Sequence, residues 1–272
     1  MTIYAKVFLA ILTFEVLLFW LLTFMPKFGT WGKDAVDACT KAPMLDWLLS
    51  FIILVPWFVG GLTAGWVGIV ASLLAQVLAM QLWIVYHEFL HRNVAPGSRI
   101  ARFHSQRIGW WRNHLALWVT SIIVPVFFLI RFSEVFLYPM LVWLLGFPKY
   151  NHSDWVNVSR HKFEGLVGHD LIWCLYCDWM TGVYSLGAEM LRNVESFWCP
   201  IRFYHGKKCE NCRFDFPDLE AGWVAADGTM DDVEQVLNQM YDGEHSSWFG
   251  HPERHQDEVS PVVEPQLKVE VD

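Results

Sequence analysis

Long apolar blocks separated by short polar stretches dominate the first 150 residues. Val7 to Met25 meets the ~20 apolar residues a helix needs to cross a bilayer. No small-x-small cleavage site follows it, so it is expected to stay as a first transmembrane helix. Trp47 to Tyr86 is an uncharged run of 40 residues, twice one span, interrupted near its middle by Gly60-Gly61-Leu62-Thr63-Ala64-Gly65. That pattern predicts a tight hairpin of two helices. A third region, the 33 residues from Leu115 to Phe147, carries Arg131 and Glu134. It fits two short spans or one bent re-entrant pair, and we read it as two spans.

Beyond Lys149 the pattern changes. Phe163 to Glu195 reads as one amphipathic or interfacial helix rich in Trp and Tyr, and loops follow Pro200. A short helix is expected from Met230 to Tyr241, capped by Asp227 or Thr229, and the Ser, Pro and acid content beyond Gly243 predicts a mobile end. The expected fold is all-α, a polytopic integral membrane helical bundle of about five spans with a C-terminal cytoplasmic cap and an acidic tail. Its segments are a transmembrane domain (1–147), an interfacial His/Cys-rich segment (148–212) and an acidic soluble tail (213–272).

Composition agrees with a membrane protein: 272 residues include 16 Trp and 20 Phe, and mean hydropathy is +0.28. Net charge of −8 hides a division, since residues 213–272 hold 15 acids against 3 bases. A tail of this sign repels nucleic acid and anionic lipid, so nucleic-acid recognition is not expected. Between Arg92 and Arg112 lie five arginines and no acid, which places that loop in the cytoplasm. Lys27, Lys33 and Lys41 put the loop after the first span on the same side. With five spans the N-terminus is outside and the C-terminus cytoplasmic.

Where the uncharged run meets the arginine loop stands His87-Glu88-Phe89-Leu90-His91. Two imidazoles four residues apart on a helix share a face, so the end of a span offers a pair of metal ligands. His104, His114, His152, His161 and His169 fall on the same expected side, His104 as a plain interfacial residue. Imidazole suits iron, zinc and copper, and Asp154 or Asp170 could substitute for a missing imidazole. His87, His91, His114, His152, His161, His169 and Asp170 are therefore the candidate metal ligands, iron being the metal that the resemblance described next implies, with Glu88 as the candidate catalytic residue, ligand or ligand-supporting group.

His87-Glu88-Phe89-Leu90-His91-Arg92 resembles the first histidine box of the membrane-bound fatty acid desaturase and alkane hydroxylase superfamily, over roughly residues 47–170. The resemblance implies an O₂-dependent di-iron hydroxylase or desaturase acting on an acyl, alkyl or terpenoid chain, with electrons from a small redox protein. This chain departs from the family in having no His-His pair, whereas the family carries two further H-x-x-H-H boxes. His114 stands where a second box would fall, and His152, His161 and His169 where a third would.

The same five letters also read as the helix of a zinc protease, with Glu88 as general base and Glu164, Asp170 or Glu189 as third ligand. A third class is non-catalytic: an assembly or accessory subunit of a membrane complex, gripping partner subunits through the acidic tail. Cys174-Leu-Tyr-Cys177 and Cys209-Glu-Asn-Cys212, with Cys199 between them, have the spacing of a structural zinc site built from a knuckle on a helix and one on a loop. The W-C-x-x-C at Trp173 also fits a membrane thiol oxidoreductase if this half lies outside the cytoplasm. Glu15, inside the first span, is expected to be neutral or to snorkel beside Lys6. His245, His251 and His255 are read as part of a solvated tail.

Overall fold

In the computed structural model, residues 1–215 and 223–240 are described, with side chains described for 1–211 and 223–239. Among the described residues all regular structure is helical, and the only extended pairings are isolated bridges, Lys41 with Asn157 and Ile201 with Val224. Three helical stretches are long and apolar enough to cross a membrane: Ile3–Lys27, Met44–Leu90 and Trp110–Leu145. The chain divides into two compact units, Met1–Ile130 with Asn151–Leu186, and Arg131–Tyr150 with Gly187–Asp272.

In the first unit, α1 (Ile3–Phe24) is followed by α2 (Gly29–Cys39), α3 (Met44–Leu49) and α4 (Val55–Leu90), with a π-helical turn at Ser50–Leu54 joining the last two. Run straight, the 47 residues of Met44–Leu90 would extend about 70 Å, over twice the ~30 Å of a hydrocarbon core. They fold back instead. Ala64 and Gly65 leave helical geometry, and Gly65 adopts φ +61, ψ −150, a conformation open essentially to glycine alone. Beyond the bend Gly60 and Gly68 stack backbone against backbone, so that a Cβ on either would collide with the other's carbonyl. The hairpin expected from Gly60 to Gly65 is present.

A polar bolt joins its arms. Pro56 has no N–H to offer the Ile52 carbonyl one turn earlier, and Gln76 on the opposite arm supplies what is missing. Its amide donates to Ile52 O at 2.5 Å and Ile53 O at 3.1 Å, while its carbonyl accepts from Trp57 Nε1 at 2.6 Å.

α1 packs along the second arm, where Gly68, Ala71, Ser72, Ala75 and Ala79 are buried. Lipid tails give apolar side chains no incentive to prefer one another, so small residues that admit close backbone approach supply the contact instead. Val7 and Ile11 meet Ala71 and Ala75, and further along Thr23 accepts a hydrogen bond from Trp83 Nε1 at 3.0 Å while Phe24 approaches Tyr86. The two run in the same direction, so α1 ends beside the end of α4. Glu15 is not snorkelling; it is fully buried.

After α4 come α5 (Ile100–Ile108), α6 (Trp110–Ser121) and α7 (Val124–Phe132), with a short break at Ile122–Ile123. A π-helical turn (Ser133–Leu137), again just before a proline, leads to α8 (Tyr138–Leu145), and α9 is His152–Trp155. The expected amphipathic helix is α10, Gly168–Trp198, starting five residues later than the sequence pattern indicated because Gly165 and Gly168 take positive φ. In the first unit it runs beside α6 and α7: Trp173 meets Trp118, Tyr176 donates to Thr120 O at 2.9 Å, and Trp179 packs on Phe127 and Phe128.

In the second unit Asn193 donates to the hydroxyls of both Tyr138 and Tyr150 at 2.7 Å, and Arg131 pairs with Glu134 in a buried contact of 2.6 Å. The charges that interrupted the third apolar region therefore meet each other. α11 (Lys207–Asp215) contains the whole Cys209-Glu-Asn-Cys212 motif, which places that knuckle on a helix rather than the expected loop. Nothing between Gly206 and Pro217 breaks a helix, and Lys207 pairs with Glu210 one turn on. α12 (Met230–Met240) is capped by Thr229, whose hydroxyl and backbone N–H both engage the Asp232 carboxylate. The stretch beyond Gly243, with His245, His251 and His255, lies outside the described residues.

Candidate functional site

The H-E-x-x-H segment forms the last turns of α4. His91 Nδ1 lies 2.9 Å from the His87 carbonyl and its ring stacks on His87 with centroids 4.2 Å apart. A backbone carbonyl accepts only, so His91 Nδ1 carries the proton and Nε2 is left as an acceptor. His114 is held the same way, Nδ1 to the Trp110 carbonyl at 2.8 Å.

The other two imidazoles are committed. Gly168 N–H points at His87 Nδ1 at 3.1 Å, so that nitrogen is an acceptor and the proton sits on Nε2. Trp173 Nε1 donates to His169 Nε2 at 3.1 Å, which assigns the His169 proton to Nδ1, 3.9 Å from Asp170 Oδ1. The His169 and His114 rings are 4.9 Å apart.

Between these rings lies a residue that sequence reading used only as a marker of sidedness. Arg99, its side chain 8% exposed, donates through Nη2 to Glu88 Oε1 and through Nε to Asp170 Oδ2, both at 2.8 Å, and to the Val167 carbonyl at 2.9 Å. Asp170 also caps α5 from a distant part of the chain: Ile100 N–H and Ala101 N–H each donate to its carboxylate at 3.0 Å. Burial pushes the Asp170 carboxyl up, but His169, Arg99 and the Ala101 N–H together hold it well below the usual carboxylate range. Gly168 is required by the same geometry, since a Cβ there would strike the Glu88 side chain.

The clasp thus joins the end of α4, the start of α5 and the start of α10. It also brings together four of the six candidate histidines, His87, His91, His114 and His169. His152 lies on α9, and His161 in a 3-10 turn (Arg160–Lys162), where burial, then Lys162, depresses its basicity.

Cys174 and Cys177 share a face of α10 in the first unit. Burial pushes the Cys174 thiol up, while Arg160 is hydrogen-bonded to Cys177. Cys199 and Cys209 are free thiols of the second unit, and the side chain of Cys212 lies outside the described residues.

A di-iron centre of the histidine-box kind needs several open imidazole and carboxylate donors. Here Glu88 and Asp170 are both ion-paired with Arg99, and one nitrogen of both His87 and His169 is already taken as an acceptor. Of these four histidines, His91 and His114 present an uncommitted Nε2. Among the described residues no group of three His, Cys, Asp or Glu side chains is arranged to hold a metal ion. The residues as placed do not fit that cofactor. No family model matches the chain, and neither a curated protein nor a solved structure matches it.

Proposed function

We propose that this chain is a five-span integral membrane protein of the non-catalytic class, an assembly or accessory subunit of a membrane complex whose histidine-rich end is a locked joint between helices. The observation that carries this reading is the use of both site carboxylates by one largely buried guanidinium. A carboxylate held by arginine is a poor general base and a poor metal ligand. Five spans come from Ile3–Lys27, two arms of Met44–Leu90 and two passes of Trp110–Leu145. The arginine loop and the shared direction of α1 and the second arm support an outside N-terminus and a cytoplasmic C-terminus. Membrane lipid surrounds the bundle, and the acidic tail meets partner subunits.

A second reading is an O₂-dependent non-haem di-iron hydroxylase or desaturase acting on a lipid-like chain with a redox partner protein. It is favoured by the gathering of His87, His91, His114 and His169 from three segments of chain. It requires Arg99 to release Glu88 and Asp170.

Metal analysis of the protein purified in detergent separates these readings. The non-catalytic reading expects no iron that depends on His87. It accommodates about one structural zinc that survives His87→Ala and is lost with Cys174→Ser. About two irons per chain, lost in His87→Ala, would overturn it in favour of the oxygenase. Zinc lost in His87→Ala, together with proteolysis lost in Glu88→Gln, would overturn both in favour of the protease.

A further inference from the structure

The link between the second and third apolar regions holds Arg92, Arg99, Arg102, Arg107 and Arg112 and no acid. One of these charges is used inside the protein, since Arg99 serves Glu88 and Asp170. The other four belong to exposed residues. Arg102 donates to the Pro96 and Gly97 carbonyls at 2.9 and 3.1 Å, and none of the four meets a carboxylate among the described residues. Three of them are set on aromatic rings. The guanidinium carbon lies 3.7 Å from the Phe103 centroid for Arg107, 5.4 Å from Trp111 for Arg112 and 6.0 Å from Phe89 for Arg92.

Their place in the fold is fixed. α5 is tied at both ends to helices long and apolar enough to cross a membrane, α4 on one side and Trp110–Leu145 on the other. Its inner side is held by Asp170, which accepts from the Ile100 and Ala101 N–H, and by Asn113, which donates to Ala101 O and Ser105 Oγ at 3.2 Å. Phe103 and Arg107, one turn apart, project from the side away from Ala101 and Ser105. Around them Ile100, Phe103, Ile108, Trp110 and Trp111 are between 48% and 68% exposed. Rings and cations exposed together at the ends of spans suit the bilayer boundary, where the rings reach the acyl chains and the guanidinium groups reach the headgroups. The guanidinium fork also matches the oxygens of a phosphate.

We propose that Arg92, Arg102, Arg107 and Arg112, with the rings beside them, form a docking surface for anionic phospholipid headgroups of the bilayer that the chain spans. The apolar share of the face favours a lipid over an acidic polypeptide, because large side chains are interleaved with the cations at the ends of two spans. The inference rests on the membrane-spanning part of the proposed function and is independent of what the clasp does.

The test places the full chain in vesicles of phosphatidylcholine and phosphatidylglycerol in equal parts, extracts it gently and counts the retained lipids by headgroup. The native chain is expected to retain phosphatidylglycerol about fivefold over phosphatidylcholine, the scale of one arginine at an anionic surface. Replacing Arg92, Arg107 and Arg112 together by Gln should abolish the preference, while Lys207→Gln with Lys208→Gln, charges of the second unit, should leave it unchanged. Equal retention by the native chain, or a preference lost equally in the second-unit variant, would overturn the surface. A preference absent from the native chain but gained when Asp257, Glu258, Glu264 and Glu270 are changed to their amides would also overturn it, giving the arginines to the acidic tail. A native chain recovered outside the vesicles would overturn the membrane reading and this inference with it, whereas the other failures overturn this inference alone.

Discussion

Arg99 and Asp170, 71 residues apart in sequence, meet at 2.8 Å with side chains 8% and 4% exposed, and the same guanidinium reaches Glu88. Removing one member of a largely buried charge group leaves the others uncompensated, which typically costs ~3–5 kcal/mol. Arg99→Gln is therefore expected to lower the unfolding temperature of the detergent-solubilised protein by several degrees. Arg99→Lys should recover little of it, because a lysine ammonium lacks the planar fork that serves Glu88 and Asp170 together. An Arg99→Gln protein as stable as the native one would show that the clasp is not holding α4, α5 and α10.

The same pair sets an acid limit. In the unfolded chain Asp170 titrates near ~3.9, and in the folded protein well below that. A depressed folded pKa contributes stability that is fully present above the unfolded value and lost as pH falls through the folded one. Native protein should thus lose thermal stability from about pH 4 downward more steeply than Asp170→Asn, which begins less stable and has no such titration. Parallel pH profiles for the two proteins would refute the linkage.

The hairpin separates two uses of glycine. Gly65→Ala meets no neighbouring atom, so its cost is that of the backbone conformation alone, ~1–3 kcal/mol. Gly68→Ala instead drives a methyl into the Gly60 carbonyl, and with backbone on both sides the arms must part. Gly68→Ala should loosen the Gln76 bolt, read as increased hydrogen exchange across Ile52 to Trp57, whereas Gly65→Ala should leave that region protected. Equal protection in both variants would mean that the arms are not in backbone contact at Gly60 and Gly68.

The hairpin was legible because its signal is local: an uncharged run twice the length of one span with glycines at its centre. The amphipathic helix and the Thr229 cap were legible for the same reason. The clasp was not. His87, Glu88 and His91 form a motif that invites a metal, but what Glu88 does is decided by Arg99, which looks like one of five similar arginines in a loop. The one signal that could have found it was stoichiometric, since acids at the edge of a membrane need cations and Arg99 precedes the apolar-polar pattern of α5 at its capping position. The second cysteine knuckle lies on a helix although its stretch lacks the apolar periodicity that signals one, because no residue from Lys207 to Asp215 opposes a helix.

Glu15 differs from the clasp carboxylates in having no such partner. It is fully buried, neither of its oxygens has a hydrogen-bond partner among the described residues, and its neighbour Gln76 has its amide engaged with Ile52, Ile53 and Trp57. Unpaired polar atoms inside a packed bundle weaken it, by ~1–3 kcal/mol for each group left unpaired. Replacing the side chain by an apolar one of similar volume removes that cost and keeps the contact between α1 and the small-residue face of α4. Glu15→Leu is accordingly expected to raise the unfolding temperature, while Glu15→Ala, which leaves a void beside Gln76, should lower it. A Glu15→Leu protein less stable than the native chain would mean that the carboxyl is satisfied by a group beyond the described residues, and that Glu15 is held rather than orphaned.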